Sequence, residues 1–186
     1  MVTIPMLWAP IVLSTVLVFL ASFLIWSVLP WHKGDYRGLP DEEAVAELLR
    51  RQDVAPGQYS IPYAGSQAAM KDPEFVKRME QGPVGFLTLT PPRAPGMGRS
   101  LGQWAAYVLL ISLFVAYLAS RTLAPDADYL RVFRVAGTVA VLAYSAAVIP
   151  SGIWFGRPWG NVWKDVLDGV VYGLLTAGTF GWLWPR

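Results

Sequence analysis

The chain has no cysteine and a single histidine, and each scarcity closes off chemistry. Without a thiol there is no disulfide, no thiolate nucleophile, no Cys-ligated zinc and no iron–sulfur cluster, and the redox character of the compartment leaves no mark on the sequence. One imidazole cannot supply bis-histidine haem ligation within a chain, nor the two helically spaced histidines of a common metal site. Charge is scarce as well. Charged residues make up 15% of the 186 positions, the formal net charge is +2, and the basic residues are scattered rather than massed, which sets nucleic-acid binding aside. A glycine-rich phosphate loop, a serine–histidine–acid grouping and a haem attachment pattern are also missing. A self-contained metalloenzyme or electron carrier is therefore not expected, and no cofactor is implied.

Apolar length is what the sequence has in abundance. Hydrophobic residues reach 54% and the mean hydropathy is +0.40, more than an ordinary soluble domain of this size carries. A helix crossing hydrocarbon needs about 20 apolar residues, with every backbone polar group paired inside the segment. Four stretches meet or approach that length: about Met6 to Leu29, Leu101 to Ser120, Leu130 to Ile149 with an apolar body running on to Phe155, and about Val166 to Trp184. The first lacks a positive leader and a small-residue cleavage site, so it reads as an uncleaved anchor rather than a signal peptide. Tryptophans such as Trp8, Trp26, Trp31, Trp104, Trp159 and Trp182 gather near the span ends, as rings that favour headgroup depth do.

Most of the remaining charge and proline lies between the first two spans. There Asp41 is placed to cap a helix reaching Arg51, with Ala44, Val45, Leu48 and Leu49 on one face and Glu47 able to pair with Arg51. Asp72-Pro73-Glu74 reads as a second helix start and Gly82 as its stop. Gln58 to Tyr63 and Val84 to Thr90 have strand composition. The predicted architecture is a mainly α membrane protein: a four-transmembrane-helix bundle with a small α+β polar insert between helices 1 and 2. Residues 1–30 form the first helix, 31–99 the insert, and 100–186 helices 2–4.

Four crossings place the insert and the Gly156 to Lys164 loop on one side and both termini on the other. Near the span ends, Lys33, Arg37, Arg93, Arg99, Arg157 and Lys164 face Arg121, Arg131, Arg134 and Arg186 across the bilayer, six against four. The positive-inside tendency then puts the insert in the cytoplasm and both termini outside. Helices in lipid associate through close packing of small residues, and Gly169, Gly173, Ala177 and Gly181 recur every four residues along the fourth span. That stripe is expected to meet a neighbouring helix of the bundle or, as the alternative, another subunit. Ser112, Ala116 and Ser120 repeat the spacing in the second span.

No ionisable residue is expected at mid-membrane depth, which disfavours a coupled transporter. The candidates for chemistry cluster at one face instead: His32 and Asp35 after the first span, Asp165 and Asp168 at the start of the fourth. One imidazole with several carboxylates is a possible acid–base pair or metal site. The favoured reading is structural and holds no metal. Trp31 and His32 then lie in the interface, Lys33 and Arg37 near lipid phosphates, Asp35 in a local turn, and Asp165 and Asp168 at the positive end of the helix dipole.

Several runs are distinctive. Pro30-Trp31-His32-Lys33-x-Asp35-Tyr36-x-x-Leu39-Pro40-x-Glu42, Gly82-Pro83-Val84-Gly85-Phe86-Leu87-Thr88-Leu89, Val132-Phe133-Arg134-Val135-Ala136-Gly137-Thr138 and the closing Thr176-Ala177-Gly178-Thr179-Phe180-Gly181-Trp182-Leu183-Trp184-Pro185-Arg186 resemble an uncharacterised family of bacterial multi-pass membrane proteins. The resemblance covers nearly the whole chain and implies a bacterial inner-membrane protein, with no mechanism attached. Three functional expectations follow: a non-enzymatic accessory, structural or assembly subunit of a membrane complex, then a small oligomeric channel or transporter, and third an enzyme acting on lipid at headgroup level, which His32 within hydrogen-bond reach of Asp35, Asp165 or Asp168 in an open pocket would favour. The expected partners are membrane lipid and a membrane protein or further copies of the chain.

Overall fold

The computed structural model describes residues 1–94 and 96–185. In chain order its elements are α1 (Trp8–Phe23), α2 (Glu42–Arg51), β1 (Gly57–Ile61), α3 (Pro73–Gln81), β2 (Gly85–Leu89), α4 (Gly98–Thr122), α5 (Tyr129–Ser145), α6 (Ile149–Phe155) and α7 (Trp159–Trp182). They fall into two compact units. One comprises residues 1–35, 96–152 and 157–185, and the other residues 36–94 and 153–156.

In the helical unit the apolar runs decide what forms. Three segments are long and apolar enough to cross a membrane: Ile4–Val28, Gly98–Thr122 and Tyr129–Phe155. The first begins as a 3-10 turn (Ile4–Leu7), continues as α1 and ends on a π-helical turn (Leu24–Val28). It stops there because Pro30 has no N–H to give and pushes Leu29 into an extended conformation, φ −74° and ψ 147°. The third is α5 and α6 joined by a 3-10 turn (Ala146–Val148), with Pro150 in the first turn of α6, where its missing donor is harmless. Asp128 caps α5 by accepting the Arg131 N–H at 3.0 Å.

The fourth predicted span exists as a helix but is not among the segments apolar enough to cross alone. Its start explains why: α7 begins at Trp159, seven residues before Val166, and so takes in Lys164, Asp165 and Asp168. Its apolar face is also built of glycine, alanine and threonine rather than leucine. The dipole role expected for Asp165 and Asp168 is overturned by the same shift, since they are the seventh and tenth residues of the helix, beyond the first turn where that effect acts. Asp168 stands roughly 14 Å along the α7 axis and is buried among protein.

α7 nevertheless packs closely on α5 and α1, and the small residues are the reason for its close approach to α5. Its Gly169, Gly173, Ala177 and Gly181 lie against α5. A Cβ added at Gly169 would sit 2.9 Å from the carbonyl carbon of Tyr144, one at Gly173 2.9 Å from the backbone nitrogen of Val141, and one at Gly181 2.7 Å from the Tyr129 ring. Ala177 is fully buried opposite Gly137. The stripe in α4 turns to α1 instead, where the Ser112 and Ser14 hydroxyls are 3.1 Å apart. One apolar cluster joins Val2, Leu7 and Ile11 to Val115, Ala119, Leu123, Val132, Phe180 and Trp184. It therefore gathers the start of α1, the end of α4, the start of α5 and the end of α7, as alternating antiparallel helices require. Large apolar side chains including Val12, Val16, Leu20, Leu110, Phe114, Leu142 and Leu174 point outward and are exposed.

The polar unit follows its caps. Asp41 accepts from Ala44 N–H at 3.0 Å and Asp72 from Glu74 N–H at 2.9 Å, while Gly82, at φ +65°, ends α3 in the left-handed region that glycine tolerates. β1 and β2 pair antiparallel, with Gly57 opposite Leu89 and Ile61 opposite Gly85. The Glu47–Arg51 pair does not form among the described residues; Arg50 pairs with Glu43, two turns back on the same exposed face. Exposed pairs of this kind are worth under about 1 kcal/mol, so the exchange of partners matters little. None of the described residues 36–94 is buried, as befits a segment too short for a core of its own.

Candidate functional site

The chain leaves the π-helical turn and coils tightly. Lys33 N–H donates to Pro30 O at 3.3 Å and Asp35 N–H to His32 O at 3.1 Å, which brings the Asp35 carboxylate back onto the histidine three residues before it. The wider π turn carries Trp26 over the same ring, stacked at 3.8 Å between centroids and 7° between planes. From the other side comes a polar stripe of α7, in which Asn161, Lys164, Asp165 and Asp168 recur at helical spacing.

His32 is the centre of the meeting. Its Nδ1 lies 2.5 Å from Asp35 Oδ2 and its Nε2 2.8 Å from Asp168 Oδ2, and the ring is 7% exposed. A neutral imidazole has one N–H and would turn a lone pair toward one of these carboxylates; the imidazolium form donates to both. Trp31 Nε1 donates to Asp168 Oδ1 at 3.1 Å, Lys164 Nζ to Asp35 Oδ1 at 2.5 Å, and Asn161 Nδ2 to the Asp35 carbonyl at 3.0 Å. Arg157 pairs with Asp165 Oδ2 at 2.5 Å. With His32 charged, three cations (His32, Lys164, Arg157) face three carboxylates (Asp35, Asp165, Asp168), and the cluster is neutral.

Burial pushes the Asp35 carboxyl up, but the Lys164 ammonium and the His32 ring, each hydrogen-bonded to it, outweigh this and hold it below its ordinary 3.8. The arrangement works as a clasp between the peptide that follows the first helix and the middle of α7. It has little to offer as a general base, because both ring nitrogens are engaged. His32, Asp165 and Asp168 do present donor atoms within 4.8 Å of one another, the loose outline of a metal site. A dication there would have to take Nε2 from Asp168, leaving His32 neutral, and sit near the Lys164 and Arg157 cations.

Beside the clasp opens a cavity of about 440 Å³, bounded by α1, its π turn, α4, α5 and α7. Phe19, Phe23, Leu101 and Trp104 line its apolar part, and Tyr144, Tyr172, Asp165 and Asp168 its polar end. His32 is not among the lining residues. Trp104 spans α4 to α1 by donating to Ser22 Oγ at 2.8 Å.

Thus the structure brings together all four residues singled out for possible chemistry, with Asp165 within 4.8 Å of His32 and Asp168 by donor atoms and His32 in direct contact with Asp35 and Asp168. Sequence reasoning missed Lys164, Asn161, Trp26 and Trp31 as members and assigned Lys33 and Arg37 to lipid instead. The signal was present: residues 161, 164, 165 and 168 make one polar stripe on an otherwise apolar helix. The fold and the clasp define a helical protein with three membrane-length apolar segments. Comparison with protein families, curated proteins and solved structures finds no match.

Proposed function

We propose that the chain crosses a bacterial inner membrane four times, with the insert cytoplasmic and both termini periplasmic, and serves as a non-enzymatic accessory, structural or assembly subunit of a membrane complex. The observation that carries this is the state of the one histidine. Both nitrogens of His32 are hydrogen-bonded to carboxylates, so the one imidazole of the chain is used to hold two segments together.

The fourth crossing is supported by geometry. α7 has 24 residues, about 36 Å of helix, and runs from the clasp to the far cluster where Phe180 and Trp184 pack with the start of α1. A helix packed along its small-residue face needs less lipid-facing hydrophobicity, and its Asn161, Lys164 and Asp168 side chains are paired by protein. The bacterial location rests on the sequence resemblance, and the orientation on the charge bias. An oligomeric channel is less well supported, since the cavity is walled largely by Phe19, Phe23, Leu101 and Trp104.

Purification from native membranes at native expression in mild detergent tests the role. The expected outcome is a stoichiometric complex with a second membrane protein, dispersed when His32→Ala loosens the clasp. Recovery of the chain alone, or of a homo-oligomer that conducts ions in planar bilayers, would overturn it.

A further inference from the structure

The cavity beside the clasp is not used by the accessory role, and three features state what it would hold. Its apolar walls, Phe19, Phe23 and Leu101 among them, suit hydrocarbon, and its volume of about 440 Å³ lies toward the lower end for ligand sites. Three buried polar atoms also have no hydrogen-bond partner: the Tyr144 hydroxyl, the Tyr172 hydroxyl and Asp165 Oδ1. All three residues line the same cavity, and Tyr172 is 4% exposed. Thr176 and Trp26 stand near the two phenols without a hydrogen bond of sound geometry, and Thr176 Oγ1 donates to the Tyr172 carbonyl instead. Buried polar groups are ordinarily paired, so three orphans around one opening call for a ligand that pairs them.

Charge selects the head group. Among the described residues none of those lining the cavity is basic, and the cations nearest Asp165 and Asp168 are already engaged by these carboxylates, so an anionic head would find no free cation to receive it. An ammonium head has donors only and would leave both phenol protons without an acceptor. A neutral head with several hydroxyls fits both constraints: it donates to Asp165 Oδ1 and exchanges hydrogen bonds with the two phenols. We propose that this cavity binds a neutral, hydroxyl-headed amphiphile with one hydrocarbon chain, of the monoacylglycerol type, its tail along Phe19, Phe23 and Leu101. The proposal depends on insertion in a bilayer and not on the accessory role.

The test uses the full chain in phosphatidylcholine vesicles, flotation first confirming insertion, and a monooleoylglycerol probe with a photoreactive diazirine in its acyl chain. Labelling should saturate, map to the Phe19–Phe23 and Leu101 segments, and be displaced by unlabelled monooleoylglycerol but not by phosphatidic acid or oleylamine. The double variant Tyr144→Phe/Tyr172→Phe keeps both rings and should raise the half-saturating concentration about tenfold. Leu101→Trp, which fills the apolar part, should abolish the competed signal. Unsaturable labelling spread over outward-facing residues, equal displacement by either charged amphiphile, or an unchanged double variant would overturn the proposal. Failure to float would overturn the bilayer reading, and this proposal with it; flotation without competed labelling would overturn the cavity proposal alone.

Discussion

At His32, loss of the ring leaves Asp35 and Asp168 facing each other's field across an empty space, held by Lys164 and Trp31 alone. Removing one partner of a buried charge pair costs about 3–5 kcal/mol, mostly because the remaining charge is stranded. His32→Ala should therefore destabilise the helical unit by an amount of that order. The pair His32→Ala/Asp168→Ala should cost at least about 1 kcal/mol less than the sum of the single changes, since the second deletion removes the stranded carboxylate. A cycle of denaturant unfolding in detergent measures this, and strict additivity would contradict the clasp. Acid provides a second handle. Because folding lowers the affinity of Asp35 for its proton, its contribution is complete above its ordinary 3.8 and is lost as pH falls through the lower folded value. Thermal stability should accordingly hold near neutral pH and decline at strongly acidic pH, with a shallower acid decline in Asp35→Asn. The carboxylates and the histidine were legible because polar residues are scarce at the ends of apolar runs. Their mutual contacts were not, since Asp35 and Asp168 are far apart in sequence and only the tight coil after Pro30 joins them.

At the scale of single elements, α7 shows where hydropathy and packing part company. Its glycines score poorly as lipid solvents, yet they are what allows the α5 backbone to approach. Gly169→Ala and Gly173→Ala should each destabilise by about 1–3 kcal/mol through overpacking. Gly160→Ala, whose added methyl meets nothing within 4 Å, should be neutral or slightly stabilising. Thermal unfolding of the purified variants reads the difference, and equal effects at Gly160 and Gly173 would contradict the close approach. The small-residue spacing was readable in sequence because it depends only on helical period. The start of α7 was not: Trp159 to Asp165 looks polar in a linear window, and only the partners offered by Asp35 and Arg157 make a helix there affordable. Caps at Asp41 and Asp72 were readable because capping is local, whereas the choice between Glu43 and Glu47 for an exposed arginine is nearly degenerate in energy.

For the molecule as a whole, the alternating order of helix ends in one apolar cluster is the order that four crossings would need. Three apolar segments are explicit, and the count of four turns on α7. The absence of cysteine makes the count measurable without background. Single cysteines at the exposed positions Thr3, Ser66, Asp126 and Gly160, and one appended after Arg186, can be probed with a membrane-impermeant maleimide in sealed vesicles of each orientation. Four crossings predict that Ser66→Cys and Gly160→Cys react from one face, while Thr3→Cys, Asp126→Cys and the appended cysteine react from the other. Reaction of the appended cysteine from the same face as Gly160→Cys would show that α7 does not cross, and would contradict the account.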